Sequence, residues 1–449
     1  MSTLNTTAFF IKQRALRPRA YSRYRQLLEN ERLSGAELRA LNWRKRARLL
    51  EYAYTNVPFY RRRLDAMHIH PRDIRTPEDW IQLPLLHKTD LVQSHSELLA
   101  TGVNPGRLAL STTGGSTGKP VKVYHDRQFP HETLGWRMFR WWNIQPGIDS
   151  AIVLRLPGRS PLMDLTNRVM WWPTRRIFLD ASSMTPERID QFLASVNKCR
   201  PALVQGYVGA VHALAERILG AGLRIHAPEA VTVTAAPLSS VQRALIERAF
   251  HAPVYDQYGC GEVFWLGAEC DRRAGLHVFA DSRHLEIVDE SGRPCEPGMP
   301  GKVIVTDLEN YVFPLIRYEV GDRSSFEGEP CPCGRPFPLI QPVRGRISDV
   351  LHFPDGRIIS GEYLTTLFDS FPDAVTAFQV HQGSDASIAV RAVPNRSFAG
   401  LDATLESVRR TLQAKAGHSV PVRISLVPHI SSDRGKTRYV ISDYHQHVS

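Results

Sequence analysis

The sequence lacks any apolar run long enough to cross a bilayer. A membrane-spanning helix needs about 20 consecutive apolar residues, and the most apolar stretch of the 449-residue chain, 201–215, is shorter and is interrupted by polar side chains. Residues 8–11 are also apolar, but the polar residues 12–14 follow at once and leave no signal-peptide core. These absences predict a cytosolic protein without a transmembrane segment.

Cysteine is scarce as well, with six residues in the whole chain. In a cytosolic protein these thiols are expected to be reduced or metal-bound rather than paired in disulfides. Cys199, Cys260 and Cys295 have no obvious ligand partners and are expected to be plain thiols. The sequence also has no internal repeat and no low-complexity linker, and its 43% hydrophobic and 22% charged residues exclude a disordered or collagen-like chain.

What the chain has in excess is positive charge. Lys and Arg number 56 against 45 Asp and Glu, so the net charge is +11. Such a balance favours acidic partners, whether phosphate-bearing small molecules, RNA or an anionic membrane surface, without choosing among them. A non-enzymatic basic protein that binds nucleic acid or membranes is therefore a remote alternative throughout.

The length predicts two or three domains, because one hydrophobic core rarely supports so many residues. Residues 1–106 have a helical and basic pattern. Short apolar runs at 151–156 and 230–234 predict buried strands. Helical spacing follows Thr185, a good N-cap with proline at the next position, and continues to residue 196. Alternating strands and helices predict an α/β layered domain.

The last hundred residues predict a separate, smaller unit. Residues 351–359 read as a β-hairpin with a Pro-Asp-Gly turn. A helix is predicted over 401–414 and a strand over 422–427. The pattern indicates a small α+β domain of ordinary size.

The most informative segment is the glycine-rich loop at 111–120, Ser-Thr-Thr-Gly-Gly-Ser-Thr-Gly-Lys-Pro. Three glycines allow backbone N–H groups to converge on an anion, and the hydroxyls and Lys119 add donors and charge. It is not a Walker A loop, because Thr113 stands where a glycine is required and Pro120 follows the lysine. Taken alone, an ordinary Gly/Ser surface loop explains it equally well.

Five motifs in order resemble those of the adenylate-forming acyl ligases. They are the loop just described, Tyr258-Gly259-Cys260-Gly261-Glu262, the segment 314–322 that ends in Gly321-Asp322, the segment 345–349, and Gly435-Lys436. The segments Cys331-Pro332-Cys333-Gly334-Arg335 and 201–207 are similar to the phenylacetate–coenzyme A ligase-like branch of that superfamily.

The resemblance implies an α/β fold with two parts. A large multi-layer N-terminal adenylation domain would cover residues 1–345, with 1–106 as its helical, basic lead-in. A small, mobile α+β C-terminal lid domain would cover residues 346–449 and carry the catalytic lysine. Ser348 would lie at the hinge between them, where a backbone dihedral has to change.

The implied activity is an AMP-forming ligase reaction. ATP would activate a carboxylic acid, with aryl or arylacetic acids as a guess from kinship, and the acyl-adenylate would pass its acyl group to coenzyme A. The alternative keeps the adenylation and transfers to an amine, a hydroxyl or a carrier-protein thiol. The expected protein is a monomer or homodimer that does not bind nucleic acid.

The resemblance also assigns site residues. Lys436, Thr112 and Lys119 are the expected catalytic residues, and Glu262 the expected Mg²⁺ ligand. Arg317 is expected to be structural. The expected ATP/AMP contacts are Ser111, Thr112, Thr113, Gly114, Gly115, Ser116, Thr117, Gly118, Lys119, Tyr258, Gly259, Asp322 and Arg346.

Two departures from the superfamily pattern concern the substrates. Gly261 stands where a hydroxyl residue often precedes the glutamate, and Ala236 where many relatives carry an acid. The expected acyl pocket consists of Tyr207, Ala235 and Ala236. Aromatic residues at 136, 139, 141 and 142 have helical spacing and are interpreted either as pocket lining or, more simply, as core packing.

Cys270, His277, Cys331 and Cys333 form a possible zinc site. Three thiolates and one imidazole suit tetrahedral Zn²⁺, and four protein ligands indicate a structural site. The residues alone leave zinc and plain reduced thiols equally open, since the Cys-x-Cys spacing is unusually tight. Some members of the resembled branch bind zinc with such a set, so the resemblance favours structural Zn²⁺.

Overall fold

The computed structural model describes residues 2–113, 121–156, 169, 171–343, 351–359, 361–364, 367–368, 370–371, 374–395, 398–430 and 440–444. The first hundred residues are mainly helical. The longest of these helices begins with a capping box in which Ser34 and Glu37 bond each other's backbone N–H groups. The helices before residue 100 are α1 (Ser2–Leu16), α2 (Pro18–Asn30), α3 (Gly35–Asn56), α4 (Pro58–Ala66), α5 (Pro77–Trp80) and α6 (Lys88–Gln93).

Strands and helices alternate through the middle of the chain. The helices here are α7 (Glu132–Trp141), α8 (Pro186–Cys199), α9 (Val208–Gly220) and α10 (Ser240–Phe250). The strands are β1 (Leu108–Thr113), β2 (Val121–Asp126), β3 (Ser150–Leu154), β4 (Arg176–Asp180), β5 (Leu203–Tyr207), β6 (Ala230–Thr234), β7 (Val254–Tyr258), β8 (Gly267–Glu269), β9 (Leu276–Val278), β10 (Arg283–Val288), β11 (Gly301–Asp307), β12 (Tyr318–Ser324) and β13 (Leu339–Ile340).

An eight-stranded sheet forms the centre, in the order β13-β9-β8-β7-β6-β5-β3-β4. Five neighbouring strands, β4, β3, β5, β6 and β7, are parallel. β8, β9 and β13 extend the sheet in antiparallel fashion. Parallel strands deliver the residues that follow them to one edge of the sheet, where α/β proteins usually bind ligands. Residues after β5, β6 and β7 therefore converge.

Several local predictions are confirmed. The strand predicted at 230–234 has those bounds, while the one predicted at 151–156 covers Ser150–Leu154. Helix α8 begins where predicted, with the Thr185 hydroxyl accepting a bond from the Arg188 N–H at 3.3 Å. The aromatic stripe on α7 is core packing: Trp136, Trp141 and Trp142 are buried among other core side chains.

A buried ionic cluster joins the early helices to the sheets. The carboxylate of Asp281, fully buried, accepts hydrogen bonds from Arg137 at 2.6 Å and from Asn30 at 2.9 Å. Burial alone would raise the pKa of Asp281, but these two partners lower it on balance. Arg283 pairs in the same region with Asp307. Removing one partner would leave a buried charge unpaired, which typically costs about 3–5 kcal/mol.

The C-terminal part of the chain is a small α+β unit with a core of its own. Its elements are β14 (Leu351–His352), β15 (Ile358–Ile359), α11 (Gly361–Leu364), β16 (Val375–Gln382), β17 (Ile388–Pro394), α12 (Leu401–Ala416), β18 (Val422–Leu426) and β19 (Val440–Ser442). The predicted hairpin, helix and strand are confirmed. β16–β19 form a sheet in the order β18-β17-β16-β19.

This unit contacts the large one beside β4. Met184 and Ile358 form an isolated backbone bridge, and Lys415 at the end of α12 lies against Asp180 and Ser182. The contact is therefore at the same edge of the central sheet that collects the strand ends. Within the described ranges, no helix combines the length and apolar content that a membrane span requires.

Candidate active site

The glycine-rich loop joins two strands of an antiparallel hairpin. β1 pairs with β2 from Leu108–Asp126 to Thr113–Val121, so Ser111, Thr112 and Thr113 stand at the end of β1. The connection between the strands is the seven-residue segment 114–120. Gly114, Gly115, Ser116, Thr117, Gly118 and Lys119 belong to that segment and lie outside the described residues.

Two of the recognised motifs meet through a reciprocal pair of hydrogen bonds. The hydroxyl of Tyr258, the last residue of β7, donates to Oδ2 of Asp322 at 3.0 Å. The hydroxyl of Tyr318, the first residue of β12, donates to Oε1 of Glu262 at 3.3 Å. The tyrosine of each motif therefore holds the carboxylate of the other.

Both carboxylates are buried at this meeting point. Glu262 is 4% exposed and Asp322 8%. An ionised carboxylate offers roughly four acceptor positions, so a carboxylate can accept from a phenol and bind a ligand at the same time. The backbone that presents Asp322 depends on Gly321, whose φ of +92° is a conformation that L side chains rarely adopt.

Arg317 is structural, as predicted. Its guanidinium is 1% exposed and forms two hydrogen bonds with one oxygen of Glu286, at 2.9 and 3.1 Å. It also donates to the carbonyl oxygens of Ile81 and Leu83. Arg317 adopts a left-handed backbone (φ +51°), so its side chain and its backbone together fix the start of β12.

The structure adds a residue that the sequence did not indicate. His125 in β2 is buried, and its Nε2 lies 3.0 Å from the carbonyl oxygen of Gly261, immediately before Glu262. Its ring stacks on Phe264 with 4.1 Å between centroids. Burial lowers the pKa of His125, so the ring is neutral at ordinary pH and Nε2–H donates to this carbonyl. A lone histidine in a strand gives no local signal for this role.

The expected acyl pocket residues lie at neighbouring strand ends. Tyr207 ends β5, and Ala235 and Ala236 follow directly after β6, the strand paired with β5. Ala235 has a φ of +74°, a left-handed conformation that costs a residue with a Cβ about 1–2 kcal/mol. Strain of this kind is concentrated at functional sites. The sheet thus brings Tyr207, Ala235, Ala236 and Tyr258 to one edge.

Three of the remaining assigned residues, Arg346, Ser348 and Lys436, lie outside the described residues. Lys436 precedes β19 by four residues, and β19 runs parallel to β16 in the small unit. Gly259 is described, and a Cβ added there would lie 2.9 Å from the backbone nitrogen of Trp265, so this position admits only glycine without rearrangement.

The four predicted zinc ligands come together. Cys270 follows β8, His277 lies in β9, and Cys331 and Cys333 precede β13, three neighbouring strands of the central sheet. Their ligand atoms all lie within 4.8 Å of one another. The Sγ atoms of Cys270 and Cys331 are 3.6 Å apart, and Sγ of Cys333 is 3.2 Å from Nε2 of His277.

These four residues could hold a tetrahedral zinc ion. Bonds of about 2.3 Å to sulfur and about 2.0–2.1 Å to nitrogen imply ligand separations of roughly 3.4–3.8 Å around a tetrahedron, and the 3.6 Å between the Sγ atoms of Cys270 and Cys331 lies in this range. Nδ1 of His277 lies 3.0 Å from the carbonyl oxygen of Phe337, which orients Nε2 toward the cysteines. Burial lowers the pKa of His277 to about 4, so the ring is neutral, the form that binds metals. The cysteines are not disulfide-bonded.

Comparison with known proteins agrees with these motifs. Residues 351–443 match the CapK C-terminal domain. The chain is 25% identical over 384 residues to phenylacetate–coenzyme A ligase of Thermus thermophilus, covering 78% of this chain and 80% of that enzyme. It is 23% identical over 400 residues to protein CapK of Staphylococcus aureus, covering 87% and 86%.

A solved structure has the same architecture. It is 2-hydroxyisobutyryl–coenzyme A ligase with its acyl-adenylate and coenzyme A, which matches with a TM-score of 0.65 and 21% identity over 92% of this chain and 91% of that one. This likeness establishes the fold, a large domain followed by a smaller C-terminal one. The chain is therefore a sequence relative of the phenylacetate–coenzyme A ligases and CapK with the fold of the adenylate-forming coenzyme A ligases.

Proposed function

We propose that this protein activates a carboxylic acid with ATP and transfers the acyl group to coenzyme A. A carboxylate oxygen would attack the α-phosphorus, releasing pyrophosphate and leaving an acyl-adenylate. The thiol sulfur of coenzyme A would then attack the acyl carbon, and AMP would leave. The phenylacetate–coenzyme A ligases among the relatives support this two-step reaction.

One observation carries the proposal: the reciprocal bonds Tyr258–Asp322 and Tyr318–Glu262. They unite two motifs that lie 56 to 64 residues apart in sequence. The result is a pair of buried carboxylates with different tasks. Asp322 would accept hydrogen bonds from the ribose hydroxyls, with Tyr258 close to the adenine, and Glu262 would hold Mg²⁺, which prefers oxygen ligands.

The chemical difficulty of the first step is that two anions have to meet. The loop 111–119 would surround the phosphates with N–H and hydroxyl donors, and the charge of Lys119 would add to them. Mg²⁺, when bound, would neutralise phosphate charge. Lys436 would place its ammonium against the developing charge at the α-phosphate and acyl oxygens. Arg346 would contact the ribose and α-phosphate side.

We further propose that the division into 1–345 and 346–449 has a mechanical role. The small C-terminal unit would present Lys436 during adenylation and turn at Ser348 before transfer. The contacts of Lys415 with Asp180 and Ser182 are at the site edge of the large unit, which suits a lid. Tyr207, Ala235 and Ala236 would line the acyl pocket, with an aryl or arylacetic acid as the first candidate, after the phenylacetate ligases.

Zn²⁺ is proposed as a structural ion held by Cys270, His277, Cys331 and Cys333. Four protein ligands would leave no open position, so the ion would take no part in the reaction. Its expected effect is to join the ends of three strands. The cytosolic location, the absence of nucleic-acid binding and the monomeric or dimeric state remain predictions.

A panel of carboxylic acids in a pyrophosphate-release assay tests the proposed function. We expect acid-dependent release that requires ATP and Mg²⁺, and AMP formation that continues through many turnovers only when coenzyme A is present. No release with any aryl, arylacetic or short hydroxy acid would contradict the proposal.

A second class of acceptor should be tested in the same assay. The C-terminal unit matches the CapK C-terminal domain, and the similarity to a CapK protein extends over 87% of the chain. The resemblance to the adenylate-forming ligases implies that this unit would meet the acceptor after adenylation. Two results together would favour an amine, hydroxyl or carrier-protein thiol as the acceptor. Pyrophosphate release would depend on the acid but not on coenzyme A, and the enzyme would go through many turnovers when hydroxylamine is added.

A further inference from the structure

The first helix turns an apolar face outward. Phe9 and Gln13 on one side of α1 are buried, and Phe9 packs edge-on against Trp136 at 5.2 Å. Leu4 and Ile11, seven positions apart, share the opposite side because two helical turns separate them. Both are at least 65% exposed. The usual orientation of an amphipathic helix would place such residues inside.

A second segment extends this apolar surface. Nζ of Lys12 donates hydrogen bonds to the carbonyl oxygens of Val169 at 3.0 Å and Trp172 at 2.9 Å, which places these residues beside α1. Both side chains are more than 60% exposed. With Leu4 and Ile11 these residues make four of the eleven large hydrophobic side chains that are exposed in the described part of the chain. We call Leu4, Ile11, Val169 and Trp172 the apolar patch.

Positive charge borders the apolar patch. Residues 2–28 contain one lysine and five arginines and no acidic residue, and two of the arginines pair with glutamates from other elements. Arg14 is exposed and lies three positions after Ile11, so its guanidinium stands at the edge of the outward face. The guanidinium of Arg176 lies over the ring of Trp171, beside Trp172.

We propose that this surface binds an anionic membrane, with α1 lying parallel to the lipid plane. Aliphatic side chains would enter the boundary between head groups and acyl chains, Trp172 would occupy the interfacial level that tryptophan prefers, and the basic residues would contact lipid phosphates. The charge argues against a second copy of this chain as the occupant, because two such surfaces would repel each other. Nucleic acid would use the arginines but would leave Leu4 and Ile11 exposed.

Sedimentation of the full-length protein with vesicles tests this proposal. We expect binding to vesicles of equal phosphatidylcholine and phosphatidylglycerol, and at least about tenfold weaker binding to phosphatidylcholine alone. The triple variant L4S/I11S/W172S should lose about tenfold or more in affinity for the anionic vesicles. Arg14→Gln should lose about fivefold.

A matched control carries the same number of changes at exposed apolar residues elsewhere. The variant L223S/M299S/L426S should bind vesicles as the wild type does, and unchanged midpoints of thermal unfolding would show that all variants are folded. Equal loss in the control, or undiminished vesicle binding by L4S/I11S/W172S, would overturn the proposal. So would a concentration-dependent dimer in sedimentation velocity that the triple variant abolishes, since the patch would then bind a second copy.

Discussion

The proposed nucleotide site at Glu262 and Asp322 (the nucleotide edge) and the four candidate zinc ligands (the cysteine cluster) lie at opposite ends of one hairpin and are built in opposite ways. Glu262 is in the connection between β7 and β8, and Cys270 follows β8 directly. The cysteine cluster has all four ligand atoms within 4.8 Å. The nucleotide edge has two carboxylates held by tyrosines, while the glycine-rich loop and Lys436 belong to other segments.

Under the assignments that we propose, this difference is that between a structural site and a catalytic one. A structural metal site is closed by its own ligands, whereas a site that turns substrates over has to admit and release them. Changes at the cysteine cluster should therefore lower stability and leave the chemistry of folded molecules intact. Changes at the nucleotide edge should lower the reaction rate and leave stability nearly unchanged. Four predictions sharpen or break this contrast, in order of decreasing effect.

Lys436→Ala should have the largest effect. Removing the ammonium from the developing charge should slow adenylation by about a hundredfold or more. Transfer from a supplied acyl-adenylate to coenzyme A should be little changed, because that step does not use the lysine. Single-turnover rates of adenylation and of transfer, measured separately, test this prediction. Lys198→Ala, an exposed lysine at the end of α8, is the control, and equal loss of both half-reactions would contradict the assigned role.

Glu262→Gln should raise the Mg²⁺ requirement. Replacing a carboxylate oxygen by an amide removes the charge that holds the cation, so the apparent Mg²⁺ affinity in pyrophosphate release should fall by roughly ten- to a hundredfold. The thermal midpoint should change little, since the amide oxygen still accepts from Tyr318. Glu329→Gln, at an exposed carboxylate, serves as control. An unchanged Mg²⁺ dependence would remove Glu262 from the metal site.

Cys333→Ser should act on stability instead. Loss of one zinc ligand should lower the free energy of unfolding by roughly 3 kcal/mol and reduce bound zinc measured by plasma mass spectrometry. The kcat of the molecules that remain folded should stay near the wild-type value. Cys199→Ser leaves zinc and stability unchanged if the assignment is right. Wild-type protein purified without zinc, yet unaffected by chelators, would refute it.

His125→Phe should give the smallest effect. It keeps the aromatic stack on Phe264 but removes the donor to the Gly261 carbonyl, which should raise the Mg²⁺ requirement about three- to tenfold. His125→Gln, whose amide nitrogen can reach the same carbonyl, should recover part of the loss. Because burial lowers the pKa of His125 below its ordinary value, the ring is neutral at and above neutral pH, and the effect should be constant from about pH 7 to 8.

His131→Phe is the matched control for that comparison. His131 lies in the same aromatic group, and neither of its ring nitrogens has a hydrogen-bond partner within the described residues. An equal effect of His131→Phe would show that packing, not the bond to Gly261, is responsible.

The sequence predicts the parts of the site that are contiguous. Tyr258 with Glu262, and the segment that ends in Asp322, are short contiguous motifs, so their residues could be named from their resemblance to the motifs of known ligases. The four candidate zinc ligands could be named from their residue types, but type and spacing left reduced thiols equally open, and only the resemblance favoured zinc. The caps at Ser34 and Thr185 are equally local and were equally predictable.

Contacts between distant segments could not be predicted. The crossing of Tyr258 and Tyr318 onto each other's carboxylates depends on where β7 and β12 lie, which no spacing encodes. The same holds for His125 against Gly261 and for the ion pair of Asp281 with Arg137, 144 residues apart. Each needs the tertiary packing to be known first.

The crossed phenols have a consequence for protein engineering. Replacing the 258–262 segment by one that lacks its tyrosine would remove the phenol from Asp322, and replacing the strand that begins at Tyr318 in the same way would remove the phenol from Glu262. Chimeras that exchange a single segment in this way should consequently be poor enzymes even when they fold. The two segments form one transferable unit, and a successful exchange has to move them together.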